Sequence, residues 1–235
     1  MTSDSFTILK RNRKSCNRII LQNRKGSRMC TEKTIAVLDY DAGNLKSVQN
    51  ALEHIGQNAI ITRDADEIMR AAGVILPGVG AFGSAMEKLK RYGLVDVIQK
   101  VVREQKPFLG ICLGLQLMFE SSDESPEAEG LSLLPGKILH IPEKPGLKIP
   151  HIGWNSLKVS EKSRLLKNLP EQPYVYFVHS YYLAAENPED VAATTEYGTL
   201  IHAAVEHGNV FACQFHPEKS GETGLQILKN FAEML

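Results

Sequence analysis

Pro107-Phe108-Leu109-Gly110-Ile111-Cys112-Leu113-Gly114-Leu115-Gln116-Leu117-Met118-Phe119 joins a short apolar run to a segment whose apolar residues recur at helical spacing. Phe108 to Ile111 follows a proline and reads as a buried strand, and Leu113, Leu117 and Met118 then share one face of an apolar helix. Cys112 stands at the hand-over. Gly110 and Gly114 flank it, where side chains would collide as strand and helix close on each other; the serine version of the pattern is G-x-S-x-G. A thiol at the start of a helix meets a partial positive charge that favours thiolate. An arbitrary cysteine is more often a small buried hydrophobe. The paired glycines and the strand-to-helix context reverse that preference and mark a nucleophile.

At 235 residues and 26.1 kDa the chain fits one large α/β domain. Its 27 Lys and Arg balance 27 Asp and Glu, but the balance hides an asymmetry. Residues 1–30 hold eight basic side chains and one acid, which leaves the remainder, with 19 basic and 26 acidic, at a net charge of −7. A mildly acidic body does not suggest a nucleic-acid or anionic-membrane surface. The four cysteines, Cys16, Cys30, Cys112 and Cys213, form no C-x-x-C pair, so disulfides and a zinc site are not expected. No apolar run approaches the ~20 residues of a membrane span, and a cytoplasmic protein is expected. The basic segment has two readings: an Arg-rich, acid-poor transit peptide, or sequence upstream of a true start at Met29. On both, residues 1–30 are expected to be disordered and catalytically idle, and residues 31–235 to form the domain.

Thr34 to Asp39 is a near-continuous apolar run, as in a strand covered on both faces of a parallel sheet. A helix capped by Asn44 follows, with Leu45, Val48, Leu52 and Ile55 on one face until Gly56. Ala59 to Thr62, a short helix from Asp64 to Ala72, and Val74 to Leu76 continue the alternation, which predicts parallel strands with right-handed crossovers. Phe82 to Val102 is amphipathic and breaks near Gly93. After Glu120 the runs shorten and alternate, predicting antiparallel strands at Lys137 to Ile141, Asn155 to Val159, Tyr174 to Val178, Ala192 to Tyr197, His202 to Glu206 and Val210 to Phe215. A helix with Leu225, Leu228, Phe231 and Leu235 on one face closes the chain.

A cysteine nucleophile needs a base and a group to orient it. His216-Pro217-Glu218 follows the apolar strand from Val210. If that strand lies beside the elbow strand, His216 lands next to Cys112 and Glu218 can fix its tautomer, giving a Cys-His-Glu triad. Leu113 N–H is one expected oxyanion donor, and the loop Pro77-Gly78-Val79-Gly80 can supply another, although its glycines equally suit an ordinary turn. Cys213, inside a strand, is expected to be structural. His54, His140, His202 and His207 have no ligand spacing, and His151 has no role that the sequence supplies.

Gly110 to Gln116 with the later His216-Pro217-Glu218 resembles the class I (triad) glutamine amidotransferases, across residues 34 to 235. Within that family, Pro77 to Gly83, Pro150-His151-Ile152-Gly153-Trp154-Asn155, Tyr176-Phe177-Val178-His179-Ser180-Tyr181 and Thr194 to Gly198 are similar to the glutaminase subunits of imidazole glycerol phosphate synthases, the histidine-biosynthesis branch. The resemblance implies a three-layer, flavodoxin-like α/β fold, with a mostly parallel sheet, helices on both faces and an added antiparallel section. It implies that Cys112 attacks the carboxamide of glutamine, that His216 protonates the ammonia and later activates water, and that Glu218 orients His216. It further implies an oxyanion hole at Leu113, Val79 and Gly80, and glutamine-binding residues Gly78, Gly80, Gln116, Glu124, His179, Ser180 and Tyr181, with Glu124 meeting the α-ammonium. Ammonia would pass to a (β/α)₈-barrel cyclase in a heterodimer, docked at Asn44, Lys46, Ile152, Trp154 and Asn155. No metal or organic cofactor is implied. An anthranilate-synthase-type subunit would share the triad with another partner, and a hydrolase on the same sheet would turn over fully alone.

Overall fold

The structure, a computed structural model, describes residues 33–235. The basic segment at residues 1–30, with Met29 and its two cysteines, lies outside the described residues. β1 (Thr34–Leu38), α1 (Leu45–His54), β2 (Asn58–Thr62), α2 (Ala65–Arg70), β3 (Gly73–Gly78), α3 (Phe82–Arg91), α4 (Leu94–Arg103) and β4 (Phe108–Cys112) form the alternating half. α5 (Leu113–Leu117), β5 (Ser121–Ser122), β6 (Gly136–His140), β7 (His151–Ser156), β8 (Lys158–Val159), β9 (Tyr174–His179), β10 (Tyr181–Ala185), β11 (Val191–Glu196), β12 (Leu200–His207), β13 (Val210–Cys213) and α6 (Gly221–Ala232) complete the domain. No helix among the described residues is long and apolar enough to cross a membrane.

Eight strands form the main sheet in the order β2-β1-β3-β4-β13-β12-β11-β8. The first five run parallel, and β12, β11 and β8 add an antiparallel section. Alternate residues of β1 feed opposite cores, as the period of two requires: Ala36 and Leu38 pack with α2, α3 and α4, whereas Ile35 and Val37 pack with α1 and α6. These are the three expected layers. Gly93, at φ 66°, occupies the expected break and divides α3 from α4.

Several boundaries differ from expectation. Asn155 to Val159 is not one strand: β7 ends at Ser156 and β8 begins at Lys158. β7 pairs with β9 in a separate two-stranded sheet, and β10 pairs with β6 in another, which β5 joins. β13 stops at Cys213, two residues before the expected end. The elbow helix α5 is only five residues long, so the predicted helix through Phe119 gives way early to turn. Asn44 sits at the start of α1, but at φ 73° its side chain makes no capping bond.

Candidate active site

Cys112 is the last residue of β4, held at φ 55° and ψ −109° at the start of α5. Few non-glycine residues adopt such a backbone, and a strained nucleophile turn is one of the places where they do. The flanking glycines are sterically required. A Cβ at Gly114 would lie 1.8 Å from the Leu76 carbonyl oxygen, and one at Gly110 would lie 2.8 Å from the Gly114 oxygen. Because the turn is that tight, the elbow abuts β3 directly, with Gly78 opposite Cys112 in the register.

β13 lies between β4 and β12, with Cys213 opposite Ile111. From there the chain carries Gln214 and Phe215 to His216, whose N–H donates to the Tyr176 carbonyl (3.0 Å) and whose carbonyl accepts from Ser220 Oγ (2.6 Å). His216 Nδ1 lies 2.8 Å from Glu218 Oε1, and both side chains are withdrawn from solvent. Asn44 Nδ2 donates to the same Oε1. Among the described residues, His216 Nε2 and Glu218 Oε2 have no hydrogen-bond partner. Burial pushes the His216 imidazole down, but Cys112 and Glu218 outweigh it and raise it to about 9. The free Nε2 is the nitrogen left for proton transfer once Glu218 holds Nδ1.

A cleft of about 290 Å³ opens over the elbow, lined by Val79, Gly80, Cys112, Leu113, Gln116, Glu124, Pro150, Val178, His179, Ser180, Tyr181 and His216. Every expected glutamine-binding residue lines it except Gly78. That residue is buried behind the loop, where a Cβ would come within 2.2 Å of Tyr40 Oη. Tyr40 Oη donates to the Pro77 carbonyl (2.8 Å) and so ties the loop to the end of β1; burial, with Cys112 adding to it, pushes the phenol well up. Gly80 has φ 108°, open to glycine, and Leu113 N–H is at the first helical position with no intrahelical acceptor. Glu124 already accepts from Phe82 N–H through Oε2 (2.7 Å), so it holds the start of α3 as well as lining the cleft.

Polar groups connect the rear of this cleft. Tyr181 O accepts from Gln116 Nε2 (3.0 Å) and from His179 Nδ1 (2.9 Å), which leaves His179 Nε2 to accept from His151 Nδ1 (3.0 Å). Burial holds both imidazoles low, His179 at about 3 and His151 at about 4, so the pair is neutral at pH 7. His151 is stacked between Tyr197 and Phe177, with ring centroids 3.8 and 4.8 Å away. The Tyr181 carbonyl fixes the His179 tautomer, and His151, for which the sequence pattern supplies no role, partners the remaining ring nitrogen. Gln214 also escaped notice, although a lone glutamine between apolar β13 and His216 is a legible signal; Cys213 beside it is buried and pushed up by burial, consistent with a structural thiol.

The five residues assigned to a docking surface do not share one environment. Ile152 and Trp154 are 60% and 55% exposed, on the face of β7 opposite His151. Lys46 is exposed and donates to Gln49 Oε1 (2.8 Å), Asn155 Nδ2 donates to the Glu196 carbonyl (3.0 Å), and Asn44 Nδ2 donates to Glu218.

The family model for class-I glutamine amidotransferases matches residues 36–235. Imidazole glycerol phosphate synthase subunit HisH of Caldanaerobacter subterraneus subsp. tengcongensis is 50% identical over 201 residues, 86% of this chain and 98% of that protein. The subunit of the same name from Methanothermobacter thermautotrophicus is 50% identical over the same shares. Among solved structures, PurLQS from Thermotoga maritima is similar in fold at a TM-score of 0.68 and 21% identity, covering 86% of this chain and 99% of that one. A crystal structure of a glutamine amidotransferase matches at a TM-score of 0.67 and 21% identity, over 84% and 98%. The family match spans the fold from the first strand to the last helix: the chain belongs to the class-I glutamine amidotransferase family.

Proposed function

We propose that the chain is the glutaminase subunit of an imidazole glycerol phosphate synthase, releasing ammonia from L-glutamine for a cyclase subunit in histidine biosynthesis. The observation that carries the chemistry is the His216 ring, tethered to Glu218 at Nδ1 and unpartnered at Nε2 over the same cleft as Cys112. The Cys112 sulfur adds to the glutamine carboxamide carbon, and negative charge grows on the carbonyl oxygen, where Leu113 N–H and the Val79–Gly80 backbone supply donors. His216 gives its proton to the departing nitrogen, so ammonia leaves and a γ-glutamyl thioester remains. Water then loses a proton to His216 and adds to the thioester, glutamate departs, and the sulfur is restored. Gln116, Glu124, His179, Ser180 and Tyr181 frame the amino-acid end, Glu124 offering its second oxygen to the α-ammonium.

The subunit assignment is supported by the 50% identity to HisH proteins and by the exposed Ile152 and Trp154. An aromatic and a β-branched side chain left in water on one strand form a natural anchor for a (β/α)₈-barrel partner in a heterodimer. Residues 31–235 constitute the catalytic domain, and residues 1–30 take no part in the chemistry. The test is a glutaminase assay of the chain alone, with the cyclase, and with the cyclase plus its ribotide ligand. Weak activity alone with strong stimulation by the liganded partner is expected; turnover unchanged on adding them overturns the reading. Cys112→Ala should abolish glutamine hydrolysis yet spare cyclisation with added ammonium.

A further inference from the structure

We infer that Gln214 is a positioning residue for the nucleophile: its side-chain amide directs an N–H at the Cys112 sulfur while its oxygen holds Gln116 in the wall of the cleft. The inference rests on Cys112 as the nucleophile and adds a residue to the machinery around it.

Gln214 is fully buried. Its backbone N–H donates to the Ala203 carbonyl (2.9 Å), continuing the pairing of β13 with β12 and fixing where the side chain starts. The orientation of the amide follows from the bonds around it. Tyr181 O can only accept, so the Gln116 group facing it at 3.0 Å is the nitrogen. The second N–H of that nitrogen meets the Gln214 side chain at 3.1 Å and requires an oxygen there. Gln214 Oε1 therefore faces Gln116, and Nε2 faces Cys112 Sγ at 3.8 Å. Each step is forced by a donor or acceptor that has no alternative role, and the chain of constraints ends on a backbone carbonyl.

An N–H aimed at the sulfur opposes rotation of Sγ toward its other polar neighbour, the Val178 carbonyl at 4.0 Å. Loss of one hydrogen bond changes such an orientational preference by up to about ten-fold. Two substitutions separate the two ends of the amide. Gln214→Glu keeps an oxygen for Gln116 but replaces the donor to sulfur with a carboxyl oxygen. Gln214→Met removes both groups and adds no charge.

The test follows the rate of Cys112 alkylation by iodoacetamide against pH, read on the Cys112 peptide by mass, alongside kcat and KM for glutamine. For Gln214→Glu the alkylation rate at pH 7 should fall about ten-fold, with kcat reduced and KM held within two-fold. Gln214→Met should show the same alkylation change with KM raised as well, because Gln116 loses its acceptor. A wild-type alkylation profile in either folded variant overturns the inference. Should neither variant fold, the side-chain amide resonance of Gln214 is compared between wild type and Cys112→Ala. A shift on removing the sulfur supports the contact, and an unmoved resonance overturns it. Retained glutamine hydrolysis in Cys112→Ala would instead sink the nucleophile assignment, so the two failures are distinguishable.

Discussion

Asn44, at the start of the first helix, donates its side-chain amide to Glu218, which lies 174 positions later in the chain. Resemblance alone put Asn44 on a docking surface; in the fold it is the second donor to the oxygen that orients His216. Removing it leaves a buried carboxylate with a single partner. Asn44→Ala should lower kcat about ten-fold with little change in KM, on the ordinary scale of a hydrogen bond to a charged group. Asn44→Asp should be worse, because it sets a second carboxylate against Glu218. Steady-state kinetics of both variants check this, and equal wild-type kcat values would remove Asn44 from the triad's support.

The imidazole of His216, raised to about 9 against an ordinary 6.5, is more easily protonated in the fold than in the unfolded chain. Its contribution to stability is therefore fully present below pH 6.5 and is lost as pH rises through about 9. Catalysis should fail over the same alkaline limb, since the departing nitrogen needs that proton. Titration of the ring by NMR should give a midpoint near 9, moving down in Cys112→Ala; a midpoint that ignores the sulfur would contradict the pairing.

His151 and His179 behave in the opposite sense. Held at about 4 and 3, they bind protons less readily folded than unfolded, so stability falls as pH drops below 6.5 and continues to fall through both values. His151→Phe keeps a ring between Tyr197 and Phe177 but deletes one titrating group. Its Tm should fall less between pH 7 and pH 4.5 than that of the wild type, as scanning calorimetry can measure.

Gly114→Ala should prevent normal folding of the elbow, because the added carbon meets the Leu76 carbonyl at 1.8 Å and neither backbone can give way without breaking the sheet. Loss of about 3 kcal/mol or more is expected from overpacking of this kind. Denaturant unfolding, or the yield of folded protein, reads it directly.

Trp154→Ala should leave the isolated chain as stable as wild type, since the indole is 55% exposed, while weakening association with the proposed cyclase partner by about ten-fold or more. Calorimetric titration with the cyclase provides the check. Unchanged affinity would move the docking surface elsewhere.

The parallel half of the fold was legible because buried strands such as Thr34–Leu38 announce themselves as unbroken apolar runs, and the elbow because its glycines are sterically compulsory. β7 was harder to see. His151 and Gly153 break its apolar alternation, and the histidine is buried only because Phe177 and Tyr197 stack on it. β10 was missed where one strand, β9, hands over to the next within a single residue at Ser180. The triad could be guessed from three residue types, but the partners of its members could not. Asn44 looks like a helix cap, and Gln214 like a stray polar residue, until the sheet order brings distant segments together.

That order also sets a schedule. β13 is the last strand of the described domain to be synthesised, yet it is inserted in the interior of the sheet, between β4 and β12. A growing chain thus exposes its cysteine about a hundred residues before the histidine exists, and Asn44 waits longer still for its carboxylate. Until β13 docks, the thiol has no histidine beside it, so the triad is incomplete in any chain that stops short of that strand. Glutamine hydrolysis begins only when the domain has closed around its own centre.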